Sequence, residues 1–123
     1  MARIVILEDE SDIAELYRMA LEDRGHEILA IHADLDDVFC PGGDPARGAE
    51  LIILDDRLGG VSAVLALGRF RKRFPSARII VVSADQDALD LGLGGGAEAA
   101  EKKPLTLRRL ADAVDSLMAR PTA

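Results

Sequence analysis

Three short apolar runs, each followed directly by a polar side chain, constrain this sequence more than any other feature. The runs cover residues 4–7, 51–54 and 79–82, and they end at Glu8, Asp55 and Ser83. Continuous runs of this length, rich in isoleucine and valine, are typical of parallel strands that are covered on both faces. Helical patterns separate the runs, so we expect strands and helices to alternate along the chain.

The order of these elements predicts one doubly wound α/β domain. A strand–helix unit repeats about five times, with residues 26–31 as the second strand and residues 97–101 as a weak fifth strand. Right-handed crossovers between parallel strands place helices on both faces of the sheet. We therefore expect a five-stranded parallel sheet at the centre of a three-layer (βα)5 sandwich.

Start and stop signals delimit several of the helices. Ser62 is predicted to cap a helix that runs to Phe74, after a loop at 57–61, and Thr106 is predicted to cap the last helix. The glycines between residues 92 and 96 predict a weak or short fourth helix, because glycine lowers helix stability.

Composition and charge exclude several classes of function. A net charge of -7 disfavours direct binding to nucleic acid, which needs a basic surface. No apolar stretch has the length of a membrane span, and the N-terminus lacks the pattern of a signal peptide, so we expect no membrane insertion. Cys40 is the only cysteine, which rules out an internal disulfide and favours a reducing cytoplasm. The turn-forming residues that follow it predict a loop over 40–45.

Polar side chains at the strand ends predict a reactive site. The carboxyl ends of parallel strands open on one edge of the sheet, so Glu8, Asp9 and Asp55 should form a patch of carboxylates there, close to the Ser83 hydroxyl. Lys103 stands at the expected end of the fifth strand. Clustered carboxylates favour a hard divalent cation such as Mg²⁺, which also binds phosphate oxygens. A carboxylate beside Mg²⁺ and an ammonium group can attack a phosphoryl group and form an acyl phosphate.

These motifs resemble those of the receiver domain of two-component response regulators, and the resemblance covers nearly the whole chain. The residues that carry it are the acidic pair in ILEDE, Asp55 in LIILDDRLGG, Ser83 in VVSAD and the Lys103-Pro104 pair in EKKPL. The resemblance implies a flavodoxin-like fold. It also implies that residues 1–123 form a single receiver domain with no output domain.

The resemblance further implies a set of metal ligands. Asp9 would be the main ligand of Mg²⁺, with Asp55 beside it. Glu8 would act on the metal mostly through water, and Arg57 would contribute its backbone carbonyl.

A second set of residues would handle the phosphoryl group. By resemblance, Asp55 is the phosphoacceptor, Ser83 is the switch hydroxyl and Lys103 pairs with the phosphoryl group. The bond before Pro104 is similar to the family's cis peptide, and cis bonds are largely confined to proline. Asp56 is a rival to Asp55, but strand alternation should turn the two side chains to opposite faces.

The function implied is that of a signalling protein which catalyses only its own aspartyl phosphorylation and dephosphorylation. It would take the phosphoryl group from a histidine kinase or a histidine phosphotransfer protein and signal by binding an unknown downstream protein. Two alternatives stay open. Ala100 stands where the family usually has an aromatic residue, which favours a receiver-like binding module that acts without phosphorylation. An aspartate-nucleophile phosphatase of another α/β family would need a second acid where this chain has Arg57.

Overall fold

A computed structural model describes residues 1–39 and 48–121, and these contain the predicted five-stranded parallel sheet together with a small hairpin. Each of the three apolar runs lies in a strand of the sheet. The strands are β1 (Arg3–Leu7), β2 (Glu27–His32), β3 (Leu51–Asp55), β4 (Arg57–Leu58), β5 (Val61–Ser62), β6 (Arg78–Ser83) and β7 (Ala99–Lys102).

The order of strands in the sheet is β2-β1-β3-β6-β7, and every neighbouring pair is parallel. The direction of winding reverses between β1 and β3, which is where doubly wound sheets bind their ligands. Asp55 is paired with Val82 in the register of β3 and β6, one residue before Ser83. The carboxyl ends of the central strands therefore bring together polar residues that are far apart in sequence.

Helices cover both faces of the sheet, as the prediction of a three-layer sandwich requires. A short 3-10 helix, Ala63–Ala66, precedes the third helix. The helices are α1 (Ser11–Asp23), α2 (Leu35–Phe39), α3 (Leu67–Arg73), α4 (Gln86–Gly94) and α5 (Leu107–Met118).

Side-chain alternation along the strands divides the core into two layers. One layer packs Ile52 and Val81 against Phe70 of α3, and it also holds Leu89 of α4. The opposite layer packs Ile53 of β3 with residues of α1 and α5. Because both faces are covered, every residue of β3 is buried, which explains its unbroken apolar run.

Thr106 caps α5 as predicted, and its side chain accepts a hydrogen bond from the Arg109 amide at 3.0 Å. The prediction that Ser62 caps a helix running to Phe74 is confirmed in position but not in detail: Ser62 is the N-cap residue of the 3-10 helix that leads into α3, and α3 ends at Arg73. Ser62 lies in β5, makes no side-chain cap bond, and is followed by the 3-10 helix before α3 begins. Its hydroxyl binds a side chain instead, which the linear sequence did not reveal.

Two further local predictions have different outcomes. The segment at 57–61 is not an irregular loop but most of a small β-hairpin. Its strands are β4 and β5, and Gly59 and Gly60, both at positive φ, form the two-residue turn between them. The fourth helix does form, over nine residues. The predicted loop at 40–45, with Cys40, lies outside the described residues. No helix within the described ranges is long and apolar enough to cross a bilayer.

Candidate functional site

Asp55 is the last residue of β3, and its carboxylate is held by donors on two sides. The side chain is only 7% exposed. Its Oδ2 accepts a hydrogen bond from Lys103 Nζ at 2.6 Å, and its Oδ1 accepts one from the Arg57 amide at 3.2 Å. These contacts orient both oxygens of a nearly buried carboxylate at the open edge of the sheet.

Lys103 follows β7, and its backbone is tied to the neighbouring strand. The Lys103 amide donates to the Ser83 carbonyl at 3.0 Å, which directs the side chain toward β3. Partial burial opposes the charged ammonium, but the hydrogen bond and the charge of Asp55 outweigh burial and raise the pKa of Lys103 above its ordinary value. The bond between Lys103 and Pro104 is cis, as the resemblance implied.

Glu8 lies beside Asp55 and is 2% exposed. Burial, and then the hydrogen bond and charge of the neighbouring Asp55, raise the pKa of Glu8 to about 9. Glu8 Oε2 has no hydrogen-bond partner among the described residues, although it is fully buried. Near neutral pH the site therefore holds a protonated Glu8 next to the Asp55–Lys103 ion pair.

Asp9 is exposed and turned toward the hairpin, where its Oδ2 accepts a hydrogen bond from the Gly59 amide at 3.1 Å. Across residues 1–39 and 48–121, no group of three or more His, Cys, Asp or Glu side chains is arranged to hold a metal ion. The expected patch of three carboxylates is thus a close pair, Glu8 and Asp55, with Asp9 directed to one side.

The donors at this edge nevertheless fit Mg²⁺. All are oxygens, which that ion prefers, and the unpartnered Oε2 of Glu8 lacks the partner that a buried polar atom normally has. Asp9 and Asp55 would be the carboxylate ligands, with the Arg57 carbonyl as a further donor. The assignment of each ligand stays a prediction.

Ser83 is the last residue of β6 and is buried. Its Oγ accepts a hydrogen bond from the Asp85 amide at 3.0 Å, directly before α4. A hydroxyl can accept and donate at the same time, so its proton is still available to a second acceptor. Ser83 therefore links the end of β6 to the start of α4.

Asp56 faces away from this cluster, as strand alternation predicts. Its hydrogen bonds to β5 and the residues after it were not predicted from the sequence. It is 2% exposed, and its Oδ1 accepts from the Ser62 hydroxyl at 2.7 Å and from the Val64 amide at 3.4 Å. A serine six residues after an aspartate is too common a pattern to have indicated this pair.

A groove of about 410 Å³ opens beside Lys103, between α1 and the segment that leads into α5. Ile13, Leu16 and Tyr17 form one wall, and the residues from Lys103 to Leu107 form the other. No pattern in the sequence indicates this groove, because its two walls come from opposite ends of the chain.

The curated relatives of this chain are regulators. It is 34% identical to a probable transcriptional regulatory protein of Picosynechococcus, over 97% of this chain and 50% of that protein. It is 29% identical to the nisin biosynthesis regulatory protein NisR of Lactococcus lactis, over 96% of this chain and 51% of that protein. The chain thus spans about half the length of the curated relatives it matches. No family model matches it.

The solved structures it resembles include a response regulator receiver domain protein (CheY-like) from Methanospirillum hungatei. That likeness has a TM-score of 0.77 and covers 96% of this chain and 94% of the other, at 21% identity. The likeness confirms the doubly wound, flavodoxin-like fold.

Proposed function

We propose that the chain is a receiver domain of the two-component response-regulator type, which its fold and its likeness to curated regulators support, and that it accepts a phosphoryl group on Asp55. The observation that carries this proposal is the 2.6 Å contact between Lys103 Nζ and Asp55 Oδ2 at the edge of the sheet. A nearly buried carboxylate that is paired with one ammonium group, and faces a second buried acid, is suited to nucleophilic attack on phosphorus.

The chemistry is a transfer between two covalent bonds. A carboxylate oxygen of Asp55 attacks the phosphorus atom of the donor, an acyl phosphate forms, and the bond from phosphorus to the donor's nitrogen or oxygen breaks. Charge builds on the transferring phosphoryl oxygens, and Lys103 is placed to neutralise it. The Arg57 amide and the Ser83 hydroxyl supply further hydrogen-bond donors on two sides.

Mg²⁺ is the metal that this edge of the sheet would hold. When bound, it would neutralise charge on the phosphoryl oxygens as a Lewis acid. Asp9, just after β1, and Asp55, at the end of β3, would be its carboxylate ligands, and Arg57 of β4 would add its backbone carbonyl. Glu8, the residue directly after β1, would act on the metal mostly through water. Metal binding would also require that the buried Glu8 lose its proton, which its raised pKa opposes.

We propose a histidine kinase or a histidine phosphotransfer protein as the donor. The groove beside Lys103 supports this, because it combines an apolar wall at Ile13 and Leu16 with an opposite wall that includes Lys103 of the site. Leu16 and Met19 are 44% and 56% exposed on α1, so an apolar helix of the partner could cover them. The phosphorylated chain would signal by binding a downstream protein.

Further parts of the proposal rest on the sequence. A cytoplasmic location is supported by the single cysteine, which permits no internal disulfide. A single-domain organisation stays a prediction. A receiver-like binding module that acts without phosphorylation is the second candidate, and Ala100, half-buried against the core where the family usually has an aromatic residue, favours it.

The decisive experiment is intact-mass measurement after incubation with Mg²⁺ and a small phosphodonor. We expect wild-type protein to gain one phosphoryl group and Asp55→Asn to gain none, because the amide keeps the shape of the carboxylate but is not a nucleophile. Asp23→Asn, at the exposed end of α1, is the matched control and should behave as wild type.

The outcomes separate the candidate functions. Phosphorylation of Asp55→Asn at the wild-type rate would refute the assignment of the phosphoacceptor. No adduct on wild type, with any donor, would favour the binding module. Rapid turnover of phosphoesters without a stable adduct would favour the phosphatase.

A further inference from the structure

The hairpin formed by β4 and β5 touches two carboxylates of the site with its backbone. The Arg57 amide donates to Asp55 Oδ1 at 3.2 Å, and the Gly59 amide donates to Asp9 Oδ2 at 3.1 Å. The hairpin thus spans the space between the predicted phosphoacceptor and the predicted main metal ligand. Its exact position decides where both amides point.

The hairpin has little to hold it in place by itself. Only two residue pairs join its strands, and an isolated two-stranded hairpin is marginal in water. Arg57, Gly59 and Gly60 are exposed, and Val61 is 52% exposed. Positive φ at both glycines suits a two-residue turn, but it does not fix the hairpin against the rest of the domain.

Two anchors tie the hairpin to the domain, one on each strand. On β4, Leu58 is buried in the core layer below. On β5, the Ser62 hydroxyl donates to Asp56 Oδ1 at 2.7 Å, and the adjoining Ala63 amide donates to the Asp56 carbonyl at 2.5 Å. Asp56 is itself fixed, because its amide donates to the Val82 carbonyl of β6 at 3.0 Å.

We propose that Asp56 and Ser62 are positioning residues which hold the Arg57 and Gly59 amides on the carboxylates of the site. The Asp56–Ser62 contact closes the base of the hairpin against the sheet. A hydrogen bond from a hydroxyl to a buried carboxylate is among the stronger ones, and its loss removes the side-chain contact that ties β5 to Asp56, leaving the β4–β5 pairing and the backbone amides that follow β5. This proposal deepens the proposed function and rests on it for its effect on phosphoryl transfer.

A simple capping role would be the plainer explanation, since the Val64 amide also donates to Asp56 Oδ1. The two roles predict different effects. A cap that only stabilises the 3-10 helix would change the free energy of unfolding and leave the site unchanged in the folded protein. A positioning role changes the site while the protein stays folded.

The test compares Ser62→Ala, Ser62→Thr and the control Ser76→Ala, an exposed serine before β6 at the opposite edge of the sheet. Ser62→Thr keeps the hydroxyl, so it should retain the contact with Asp56 that Ser62→Ala loses. The first measurement is hydrogen exchange at the Arg57 and Gly59 amides by NMR, without phosphodonor. The second is the rate constant of phosphorylation at saturating small phosphodonor with Mg²⁺, and the third is the melting temperature.

In Ser62→Ala we expect exchange at both amides to rise and the rate constant to fall about tenfold, since small displacements of positioning groups have effects of this order or larger. Ser62→Thr and Ser76→Ala should match wild type in both. If Ser62→Ala lowers the melting temperature but leaves either the exchange of the two amides or the phosphorylation rate constant unchanged, the proposal is wrong. The Asp56–Ser62 contact would then only stabilise the start of the 3-10 helix. If wild type accepts no phosphoryl group, the proposed function fails, and exchange at the two amides still decides whether the pair positions the hairpin.

Discussion

At the scale of single residues, the site is a balance of three ionisable groups rather than a cluster of three anions. Lys103 compensates Asp55 directly, and burial leaves Glu8 protonated beside them. The protonated Glu8 is neutral and the charges of Asp55 and Lys103 cancel, so the three groups together carry no net charge near neutral pH. This arrangement explains how two acidic side chains can lie close together at a buried edge of the sheet.

The raised pKa of Glu8 predicts how stability depends on pH. In the folded protein Glu8 keeps its proton up to a pKa of about 9, whereas in the unfolded chain it loses the proton near the ordinary value of 4.5. Between these values the unfolded state binds fewer protons, so the free energy of unfolding falls as pH rises through this range. Glu8→Gln, which stays neutral, should remove this dependence.

Thermal melting without Mg²⁺ checks the prediction. Glu8→Gln should melt at a higher temperature than wild type at pH 8, and the difference should shrink toward pH 5. The exposed neighbour substitution Glu10→Gln should show no such pattern. A difference between Glu8→Gln and wild type that does not vary with pH would contradict the assignment of a protonated Glu8.

At the scale of elements, the glycines of α4 have two distinct roles. A Cβ at Gly92 would lie 2.9 Å from Val81 Cγ2, and a Cβ at Gly95, just after the helix, would lie 2.9 Å from Leu67 Cδ1. These positions let α4 and the turn after it pack closely on the sheet and on α3. A Cβ at Gly94 meets nothing within 4 Å. Helix propensity alone treats these glycines alike, and packing separates them.

This difference predicts opposite effects of the same substitution. Gly92→Ala should lower the free energy of unfolding by about 1 to 3 kcal/mol through overpacking, despite the better helix propensity of alanine. Gly94→Ala should be neutral or raise it by up to about 1 kcal/mol, since only propensity changes. Urea denaturation of both variants measures the two effects. Equal stabilisation by both would show that α4 does not pack tightly against Val81.

At the scale of the whole molecule, ligand binding at the site should be visible in global stability. The residues predicted to hold Mg²⁺ lie just after β1, at the end of β3 and at the start of β4, so the ion would join segments that only the folded chain brings together. A ligand that binds only the folded state raises the free energy of unfolding by an amount set by its concentration relative to Kd.

We therefore expect Mg²⁺ to raise the melting temperature. The gain should approach about 2.7 kcal/mol when Mg²⁺ reaches roughly a hundred times its Kd. Asp9→Ala should lose most of this gain, and Asp12→Ala, an exposed acid on the first turn of α1, should keep it. A wild-type melting temperature that is indifferent to millimolar Mg²⁺ would count against the metal site.

The fold class could be predicted from the amino-acid sequence alone, and so could the strand ends near Glu8, Asp55 and Ser83 and the position of Lys103 after the last strand. Periodicity and apolar runs are local signals, and in a parallel sheet the end of each strand necessarily lies on one edge. The same logic turned Asp56 away from Asp55. These predictions needed no knowledge of which side chains touch.

The contacts of those side chains, in contrast, could be read only from the folded chain. The raised pKa of Glu8 depends on its burial in the folded domain and on the neighbouring Asp55. The orientation of Asp9 depends on the Gly59 amide, fifty positions away in sequence. The roles of Ser62 and Gly92 likewise depend on the partners that folding brings to them, a carboxylate in one case and a valine in the other. Contact partners are set by packing between elements, and a linear pattern carries no signal for them.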